Sequence, residues 1–450
     1  MAHPRLRATV PFLLLAALGL ALAWPALGWP MTYDDLHLVR SFSAAEIARA
    51  FAGNWDPDDM ENAGLRPLFV LFDHLRYAAF GEHVAAQRVF LVSLFAGYLA
   101  LLARPLARLG IGAAEALAAG ILCLFSRFSV YHYAFLTDGA HLVQGGCFAL
   151  ALGALLRHVD GSGRAALGAA VLWTVAGLLV REDSLAVVPV LALLALVAAR
   201  GRIGLGKAAL AAAALVLAAA AVMGYRALVV AHPPRLRLDG AGFALAAAHA
   251  ASLSGRASFD GWSRAFATSV RLVPLLPFAA AALGRGEARW RPLLWVLAAM
   301  VACSPALVIG RENLLLFPIT FMAVAVAASL GIVARRGPVG AVGAGVLLVW
   351  LAAGEFHLSR EFQLVFHPWS ATSLRWSGEF VYGPYWQATV PAGRREEIVA
   401  RLAAIGIRDE GQFREKLPRK TYAATIEGPW RPTGEARLFA PRLGFRAFRP

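Results

Sequence analysis

The chain has 450 residues, of which 59% are hydrophobic and 16% charged, and its mean hydropathy is +0.60. Soluble domains carry about 25% charged residues, so this composition excludes an ordinary soluble protein and indicates a membrane protein. The net charge of +15 would suggest nucleic-acid binding in a soluble protein, but Lys and Arg in cytoplasmic loops explain it here, and no nucleic-acid partner is expected.

Apolar stretches of about 17–25 residues predict membrane-spanning helices. The first stretch contains the bulky Trp24, which favours a retained anchor over a cleaved signal peptide. Eleven spans are predicted in all, and in chain order they cover residues 8–29, 87–103, 112–130, 138–156, 165–180, 184–199, 208–230, 265–283, 292–310, 313–334 and 338–354.

Basic residues concentrate in every second connection between these spans. Because Lys and Arg mark cytoplasmic loops, the pattern predicts a cytoplasmic N-terminus and an extracytoplasmic C-terminus. We therefore expect an all-α, multi-pass protein of the inner (plasma) membrane. The basic residues of the predicted inner segments are Arg5, Arg7, Arg104, Arg108, Arg157, Arg164, Arg200, Arg202, Lys207, Arg285, Arg289, Arg291, Arg335 and Arg336.

Three segments are predicted outside the membrane: a long first loop over 30–86, a second loop over 231–264 and a tail over 355–450. The sequence thus divides into a membrane domain, residues 1–354, and a small extracytoplasmic C-terminal region.

The first outer loop contains two predicted helices. "SAAEIARAF" is amphipathic and begins at Ser43, a plausible N-cap. "RPLFVLFDHLRYAAFG" is apolar but interrupted by Asp73, His74 and Arg76, which suits a helix lying in the membrane interface better than one crossing it.

The stretch "WPMTYDDLHLVR" places Asp34 and Asp35 directly after the first span. A carboxylate at a low-dielectric membrane exit is costly unless it is paired or used. Adjacent residues point in different directions, so one carboxylate can face a cavity while the other holds the loop, with Arg40 as a candidate partner. The nearby "WDPDDMEN" is interpreted as a solvated acidic loop; clustered carboxylates also suit a divalent cation, but no motif specifies a metal site or a cofactor.

Charged residues recur at other predicted outer turns. Arg181, Glu182 and Asp183 join two spans, and Arg311 and Glu312 form a similar turn. His132, Asp138 and His141 stand at the outer end of two further spans. Each alone is typical of a helix-end charge or a snorkelling side chain. All of them, however, map to the outer membrane face, where Asp34 also lies.

An outward cavity with a carboxylate and arginines suits a lipid-phosphate-linked substrate. Arginine binds phosphate bidentately and stays charged, and a carboxylate can deprotonate an acceptor hydroxyl. Displacement of a lipid phosphate by that hydroxyl would be glycosyl transfer.

Several stretches, in order, resemble the GT-C superfamily of integral-membrane glycosyltransferases that use polyprenyl-phosphate sugars. They are "TYDDLHLV", "LRPLFVLFDHLRYAAFG" with the helix after it, "GLLVREDSLAVVPVLALLAL" and "RENLLLFPITFMAVAVA". The similarity covers roughly residues 8–354 and is closest to the membrane part of TPR-containing O-mannosyltransferases.

The resemblance implies a role for each matching position. Asp34 would be the catalytic base, with Asp35 the second choice, and Arg181, Arg311 and Arg66 would lie near the donor phosphate. Apart from the resemblance, the common position of the charged residues at the outer face makes Glu182, His132, Asp138, His141 and Glu312 further candidates for the cavity. The expected partners are a polyprenyl-phosphate sugar, the lipid bilayer and an acceptor hydroxyl on a glycan, lipid or protein.

Two features depart from those relatives and leave the acceptor open. The tail carries no TPR repeats, and Tyr133 stands where such relatives have an acidic residue.

Two other functional classes remain as alternatives. A transporter or flippase of lipid-linked glycans would show inverted repeats and helices broken by Gly or Pro in matching halves, and neither is visible. A noncatalytic membrane scaffold would leave the acidic motif of the first loop unexplained.

Overall fold

The computed structural model describes residues 4–31, 34–56, 64–199, 205–230, 273–304 and 315–365, with isolated positions at 396, 398–400 and 403. Within these ranges the chain forms α-helices joined by turns, and no strand occurs in them. The predicted sites at Arg311 and Glu312, and most of "WDPDDMEN", lie outside the described residues, as does the side chain of Asp34.

Fifteen helices are numbered here in chain order, with short 3-10 turns between some of them. The helices are α1 (Pro4–Ala23), α2 (Asp34–Leu38), α3 (Ala44–Ala52), α4 (Pro67–Phe80), α5 (Val84–Arg108), α6 (Ala113–Phe125), α7 (Tyr131–Ala134), α8 (Ala140–Val159), α9 (Gly163–Val180), α10 (Val188–Ala199), α11 (Leu205–Val229), α12 (Leu276–Leu283), α13 (Arg291–Ala302), α14 (Leu316–Ala334) and α15 (Pro338–Val365). The 3-10 turns are Trp24–Ala26, Arg127–Val130, Thr137–Gly139, Glu182–Val187, Val273–Leu275 and Gly286–Trp290.

The described residues contain seven helices long and apolar enough to cross a membrane, or eight if the bent pair Ala113–Phe125 and Arg127–Ala134 is one span. The protein is therefore a helical, multi-pass membrane protein, as predicted. The first predicted span appears as a shorter apolar helix, Val10–Ala26. The predicted spans 265–283 and 292–310 are only partly within the described ranges.

Contacts between helix ends define one end of the bundle. Arg335 at the end of α14 bonds to Glu115 at the start of α6, with 2.7 Å between Nη1 and Oε1. Arg108 at the end of α5 lies 3.7 Å from Asp160, which follows α8. This end, called the basic end, gathers connections that the sequence assigned to one side of the membrane.

The opposite end, called the loop end, carries the segments after α1, between α6 and α8, and between α9 and α10. Arg226 near the end of α11 bonds to Glu182 before α10, with 2.6 Å between Nε and Oε1. Gln363 near the end of α15 donates to the Leu22 carbonyl in α1 at 3.0 Å. Successive spans thus alternate in direction, in agreement with the alternation of basic loops.

Helices α8 and α14 form the centre of the bundle, and most of their side chains are buried. Helix α15 instead exposes an apolar stripe of Val339, Val342, Val346 and Val349. An apolar surface of this extent is expected where a helix borders lipid.

Helix α3 begins as the sequence predicted. The Ser43 Oγ accepts a hydrogen bond from the Glu46 backbone N–H at 3.2 Å, and Glu46 Oε2 accepts one from the Ser43 N–H at 2.7 Å. This capping box satisfies two backbone donors at the start of the helix, and Ser43 is confirmed as its N-cap.

Helix α4 buries two charged residues and exposes a large apolar one. Asp73 and Arg76 are buried, whereas Leu75 is 58% exposed. This is the reverse of a helix on a soluble protein, and it is expected where lipid covers the outer face.

Helix α15 is longer than predicted, so the expected domain boundary at residue 354 falls inside it. The apolar run ends near 354, but Glu355, Ser359 and Gln363 recur at a spacing of four and occupy one helix face. Ser359 donates to the Phe125 carbonyl, and Glu355 accepts from the Arg127 N–H at 3.3 Å. These polar contacts continue the helix beyond its apolar part.

Candidate active site at the loop end

Asp35 fixes the acidic segment of the first loop to the rest of the bundle. Its side chain is fully buried. Oδ2 accepts a hydrogen bond from the Leu136 N–H at 3.1 Å, and Oδ1 accepts from the Thr137 N–H at 3.0 Å and the Thr137 hydroxyl at 3.1 Å. Since Asp35 belongs to α2, the backbone of Asp34, the first residue of that short helix, is held at the same place.

Burial and hydrogen bonding have opposite effects on the pKa of Asp35. Loss of water raises the pKa of its carboxyl, while the Thr137 and Leu136 hydrogen bonds and the guanidinium groups of Arg88 and Arg76 oppose the rise. The side chain thus depends on these donors for its place in the interior.

Arg88 joins the end of the first helix to the segment before Leu136. Its side chain is 1% exposed. It donates to the carbonyls of Ala134 at 3.2 Å, Leu27 at 3.3 Å and Pro30 at 3.3 Å, and also to that of Trp29. Arg88 lies in α5, so a spanning helix positions both the chain before the acidic pair and the segment that the pair contacts.

A second buried ion pair lies beside Asp35. Asp73 Oδ1 is 2.9 Å from Arg76 Nη2, and both side chains are inaccessible to solvent. Arg76 also donates to the Leu136 carbonyl. Burial raises the pKa of Asp73 to about 7; Arg76 opposes the rise, and the neighbouring Asp35 and Asp138 add to it. Helix α4 thus brings its charges to the same segment that Asp35 holds.

The segment between α6 and α8 is a broken helix. Ala113–Phe125 and Arg127–Ala134 meet at an angle of 66°, and residues 126–136 are all buried. Interrupted helix is tolerated at membrane depth only inside protein or beside a cavity. The break carries His132 into the interior of the loop end.

His132 and His141 lie side by side between carboxylates. Their ring centroids are 5.3 Å apart. His141 Nδ1 lies 3.1 Å from the Asp138 carbonyl and 3.7 Å from its carboxylate, and Nε2 lies 3.7 Å from Asp183 Oδ2. The Asp138 backbone also neighbours the His132 ring, but neither ring nitrogen of His132 makes a hydrogen bond of good geometry.

Arg181 and Gln144 complete this group. Arg181 Nε is 3.5 Å from Asp183 Oδ1. Gln144 Nε2 donates to Asp183 Oδ1 at 2.8 Å and to Ser184 Oγ at 2.5 Å. We call His132, Asp138, His141, Gln144, Arg181 and Asp183 the histidine cluster.

Glu182 and Arg66 lie together on a separate branch. Glu182 Oε1 accepts from the Leu65 N–H at 2.7 Å as well as from Arg226. A methyl group built on Gly64 would lie 3.2 Å from Glu182 Oε2 and 3.3 Å from Arg66 Nε. Arg66 also stacks on Trp55, with 5.1 Å from its guanidinium carbon to the ring centroid. Glu182 therefore supports the start of the segment that presents Arg66.

Buried polar atoms without a hydrogen-bond partner of good geometry are found at the loop end. In the part of the chain that the structure describes, they include Asp73 Oδ2, Arg76 Nε and atoms of Gln87, His132, His141, Gln144 and Arg181. Such atoms are rare in folded proteins, and each one calls for an explanation such as contact with a ligand. Their concentration distinguishes this end of the molecule from the basic end.

A small cavity of about 20 Å³ adjoins the histidine cluster, which is room for a single water molecule or hydroxyl group. Gln144, Ser184 and Thr174 give it polar groups, and Trp173 and Phe317 are among its apolar lining residues. It lies between α8, α9, α10 and α14, within the first turns below the loop end.

Of the residues predicted for the site, the structure brings His132, Asp138, His141 and Arg181 together, beside the segment that Asp35 holds. Sequence reasoning did not assign roles to Asp73, Arg76, Arg88, Gln144 and Arg226. The charged residues among them stand out in the sequence as charges within apolar helices, and such charges are expected to be functional. Among the described residues, no group of three or more His, Cys, Asp or Glu side chains is arranged to hold a metal ion.

The chain was compared with known proteins by sequence and by structure. No family model, no curated protein and no solved structure matches it. Function is therefore inferred from the residues of this chain alone.

Proposed function

We propose that the protein is a GT-C-type membrane glycosyltransferase. It transfers a sugar from a polyprenyl-phosphate donor to an acceptor hydroxyl at the extracytoplasmic face of the membrane. One observation carries the proposal: the acidic segment after the first helix is fixed through buried Asp35 against a segment that leads directly into a buried polar cluster. Ionisable groups gathered inside a membrane protein are a mark of function.

The proposed reaction is a single displacement with inversion. The acceptor oxygen attacks the anomeric carbon, the bond from that carbon to the phosphate oxygen breaks, and polyprenyl phosphate leaves. Asp34 takes the acceptor proton as general base. A carboxylate there also stabilises positive charge that develops at the anomeric carbon.

Three arginines, Arg66, Arg181 and Arg311, are candidates to neutralise the leaving phosphate. Arg66 supports this role by its place at the start of α4, where Glu182 and Trp55 hold the surrounding segment. For Arg311 and Arg181, contact with the phosphate is implied by the sequence resemblance. Guanidinium groups suit this task because they stay charged and bond bidentately to phosphate oxygens.

The test uses purified protein in lipid nanodiscs with a panel of polyprenyl-phosphate sugars and acceptors. We expect release of polyprenyl phosphate and a glycosylated product. The variant Asp34→Asn should still bind donor but transfer sugar about a hundredfold more slowly or worse, because general-base catalysis typically contributes that much. Asp160→Asn is the control, since Asp160 lies at the basic end in a partly exposed ion pair.

Three outcomes would contradict parts of the proposal. Near-full transfer by both Asp34→Asn and Asp35→Asn would remove the catalytic role of the acidic pair. Activity in Asp34→Asn together with its loss in a folded Asp35→Asn would reverse the assignment within the pair. Movement of lipid-linked sugar across a vesicle membrane without bond cleavage would favour the flippase alternative.

A further inference from the structure

Several buried polar atoms of the histidine cluster lack a hydrogen bond of good geometry within the described residues. They are His132 Nδ1 and Nε2, His141 Nε2, Gln144 Oε1 and Arg181 Nε. Both His rings are 1% exposed, and Arg181 is 9% exposed. Leaving buried polar groups unsatisfied is costly, and a concentration of such atoms in one place indicates a bound group.

The long distances within the cluster point to the same conclusion. His141 Nε2 and Arg181 Nε approach Asp183 only to 3.7 Å and 3.5 Å, and His141 Nδ1 approaches the Asp138 carboxylate to 3.7 Å. Contacts of this length are longer than a normal hydrogen bond, so these groups keep bonding capacity for a hydroxyl or a water that lies beside them.

The charge of the cluster does not suit a phosphate. Asp138 and Asp183 supply two carboxylates and Arg181 one guanidinium, already close to Asp183. A phosphate would add negative charge where carboxylates are in excess. Repulsion between like charges in a poorly hydrated interior is strong.

The kinds of unsatisfied atom specify the partner chemistry. Arg181 Nε is a donor, Gln144 Oε1 is an acceptor, and an uncharged imidazole ring offers one nitrogen of each kind. A hydroxyl group both donates and accepts, so a hydroxyl can bond to atoms of either kind without adding charge.

We infer that the histidine cluster is a subsite for a hydroxyl group of a neutral sugar, and that Arg181 binds hydroxyl rather than phosphate. The identity of the sugar as part of the donor rests on the proposed function. The adjoining cavity of about 20 Å³ has room for one such hydroxyl group. Gln144 and Ser184 belong both to the cavity wall and to the hydrogen bonds around Asp183. Trp173 in the same wall gives an apolar surface of the kind that ligand pockets combine with a few polar groups.

The variant His132→Phe separates ligand binding from folding. The nitrogens of His132 make no hydrogen bond of good geometry to the described part of the protein, so their removal costs little of its hydrogen bonding. The ring packs edge-on against Phe95 at 6.1 Å between centroids, and a Phe ring keeps this contact. Tyr133→Phe is the matched control: it is the adjacent residue, but its hydroxyl bonds to Gln363 of α15 at 2.9 Å.

The experiment measures binding by native mass spectrometry of the full chain in nanodiscs. The probes are bare polyprenyl phosphate, polyprenyl-phosphate hexoses and their deoxy-sugar analogues. We expect wild-type protein to bind at least one sugar-bearing donor about tenfold more tightly than the bare phosphate, since buried hydrogen bonds to a hydroxyl discriminate strongly. Removing the recognised hydroxyl from that donor should abolish the preference.

In His132→Phe the preference for the sugar-bearing donor should fall to near one, with the affinity for bare polyprenyl phosphate unchanged. The penalty for the missing hydroxyl should shrink in the same variant, as expected when the two groups interact directly. Tyr133→Phe should keep the wild-type preference. The wild-type comparison with deoxy analogues needs no variant and tests the subsite even if His132→Phe does not fold.

Several results would overturn the inference. One is an unchanged preference in His132→Phe. Another is an equal loss of bare and sugar-bearing ligands in that variant, which would mean that the cluster binds phosphate. The third is no preference in the wild type, which would mean that water alone occupies the cluster. The proposed function can fail separately. A preference that depends on His132 without any sugar transfer would retain the subsite and remove the enzyme activity.

Discussion

The two adjacent carboxylates of the first loop stand in different situations at the residue scale. Asp35 is enclosed by donors from the segment between α7 and α8, which suits it to hold the loop. This leaves Asp34 as the residue proposed for proton transfer.

We expect Asp35→Ala to destabilise the protein strongly. The change removes the acceptor for three hydrogen bonds and leaves two buried backbone N–H groups unsatisfied, each costing about 1–3 kcal/mol. Thermal unfolding in detergent measures the effect against Asp160→Ala at the basic end, which should unfold near the wild-type temperature. Equal unfolding temperatures for the two variants would contradict the anchoring role.

Arg311 and Arg181 should differ in their effect on phosphate binding. Arg181 lies 3.5 Å from Asp183, so its charge is already compensated. We expect Arg311→Ala to weaken binding of bare polyprenyl phosphate by about 1.5–3 kcal/mol, the loss of one charge-assisted contact, while Arg181→Gln leaves it near the wild-type value. Unchanged affinity in a folded Arg311→Ala protein would count against the phosphate role of Arg311.

At the scale of the elements, α4 is expected to make stability depend on pH. Burial raises the pKa of Asp73 from 3.8 to about 7, so between these values the folded protein keeps a proton that the unfolded chain has lost. Stability from this group is complete below pH 3.8 and is lost as the pH rises through 7.

The measurement compares unfolding temperatures at pH 5 and pH 8. Asp73→Asn should reduce the fall seen in the wild type, because the titrating group is gone. Glu46→Gln is the control. Burial raises the pKa of Glu46, but hydrogen bonds with Arg40 and Ser43 outweigh it and lower the pKa to about 2, outside the measured range. A pH dependence that Asp73→Asn leaves intact would show that Asp73 does not titrate there.

The contact between α6 and α14 at the basic end requires a glycine. A methyl group on Gly331 would lie 1.7 Å from Glu115 Oε1, the atom that accepts from Arg335. We expect Gly331→Ala to lower the unfolding temperature although alanine favours helix, and Glu115→Ala to relieve part of the loss when combined with it.

Gly343→Ala is the matched control for this contact, because nothing lies within 4 Å of its added methyl group. It should leave stability unchanged or raise it slightly. If Gly331→Ala behaves like Gly343→Ala, the close approach of the two helices is not a constraint.

For the whole molecule, the alternation of helix directions predicts which end faces outward. Basic loops remain in the cytoplasm, so the basic end should face inward and the loop end outward. In intact cells, a membrane-impermeant maleimide should label Glu82→Cys and not Arg164→Cys, two exposed positions at opposite ends. The unsubstituted protein, whose Cys123 and Cys147 are buried, supplies the background. Labelling of Arg164→Cys alone would invert the proposed topology.

The membrane class, the positions of most spans, the alternation of their ends and the N-cap at Ser43 could be predicted from the sequence. These properties depend on local hydropathy, local charge or a few neighbouring residues, all of which can be read along the chain. It could also be predicted that the charged residues of the site lie at the same end of the bundle, because successive spans return to the same two ends.

Only the tertiary structure decided which of these charges meet. Asp35 contacts residues about a hundred positions away, and His141 lies beside both His132 and Asp183 because three separate elements pack at specific angles. The inward-facing charges of α4 and the extension of α15 to Val365 likewise depend on partners distant in sequence. Hydropathy reports how strongly a segment avoids water, but the partner of a buried polar group is set by packing geometry, which no local pattern contains.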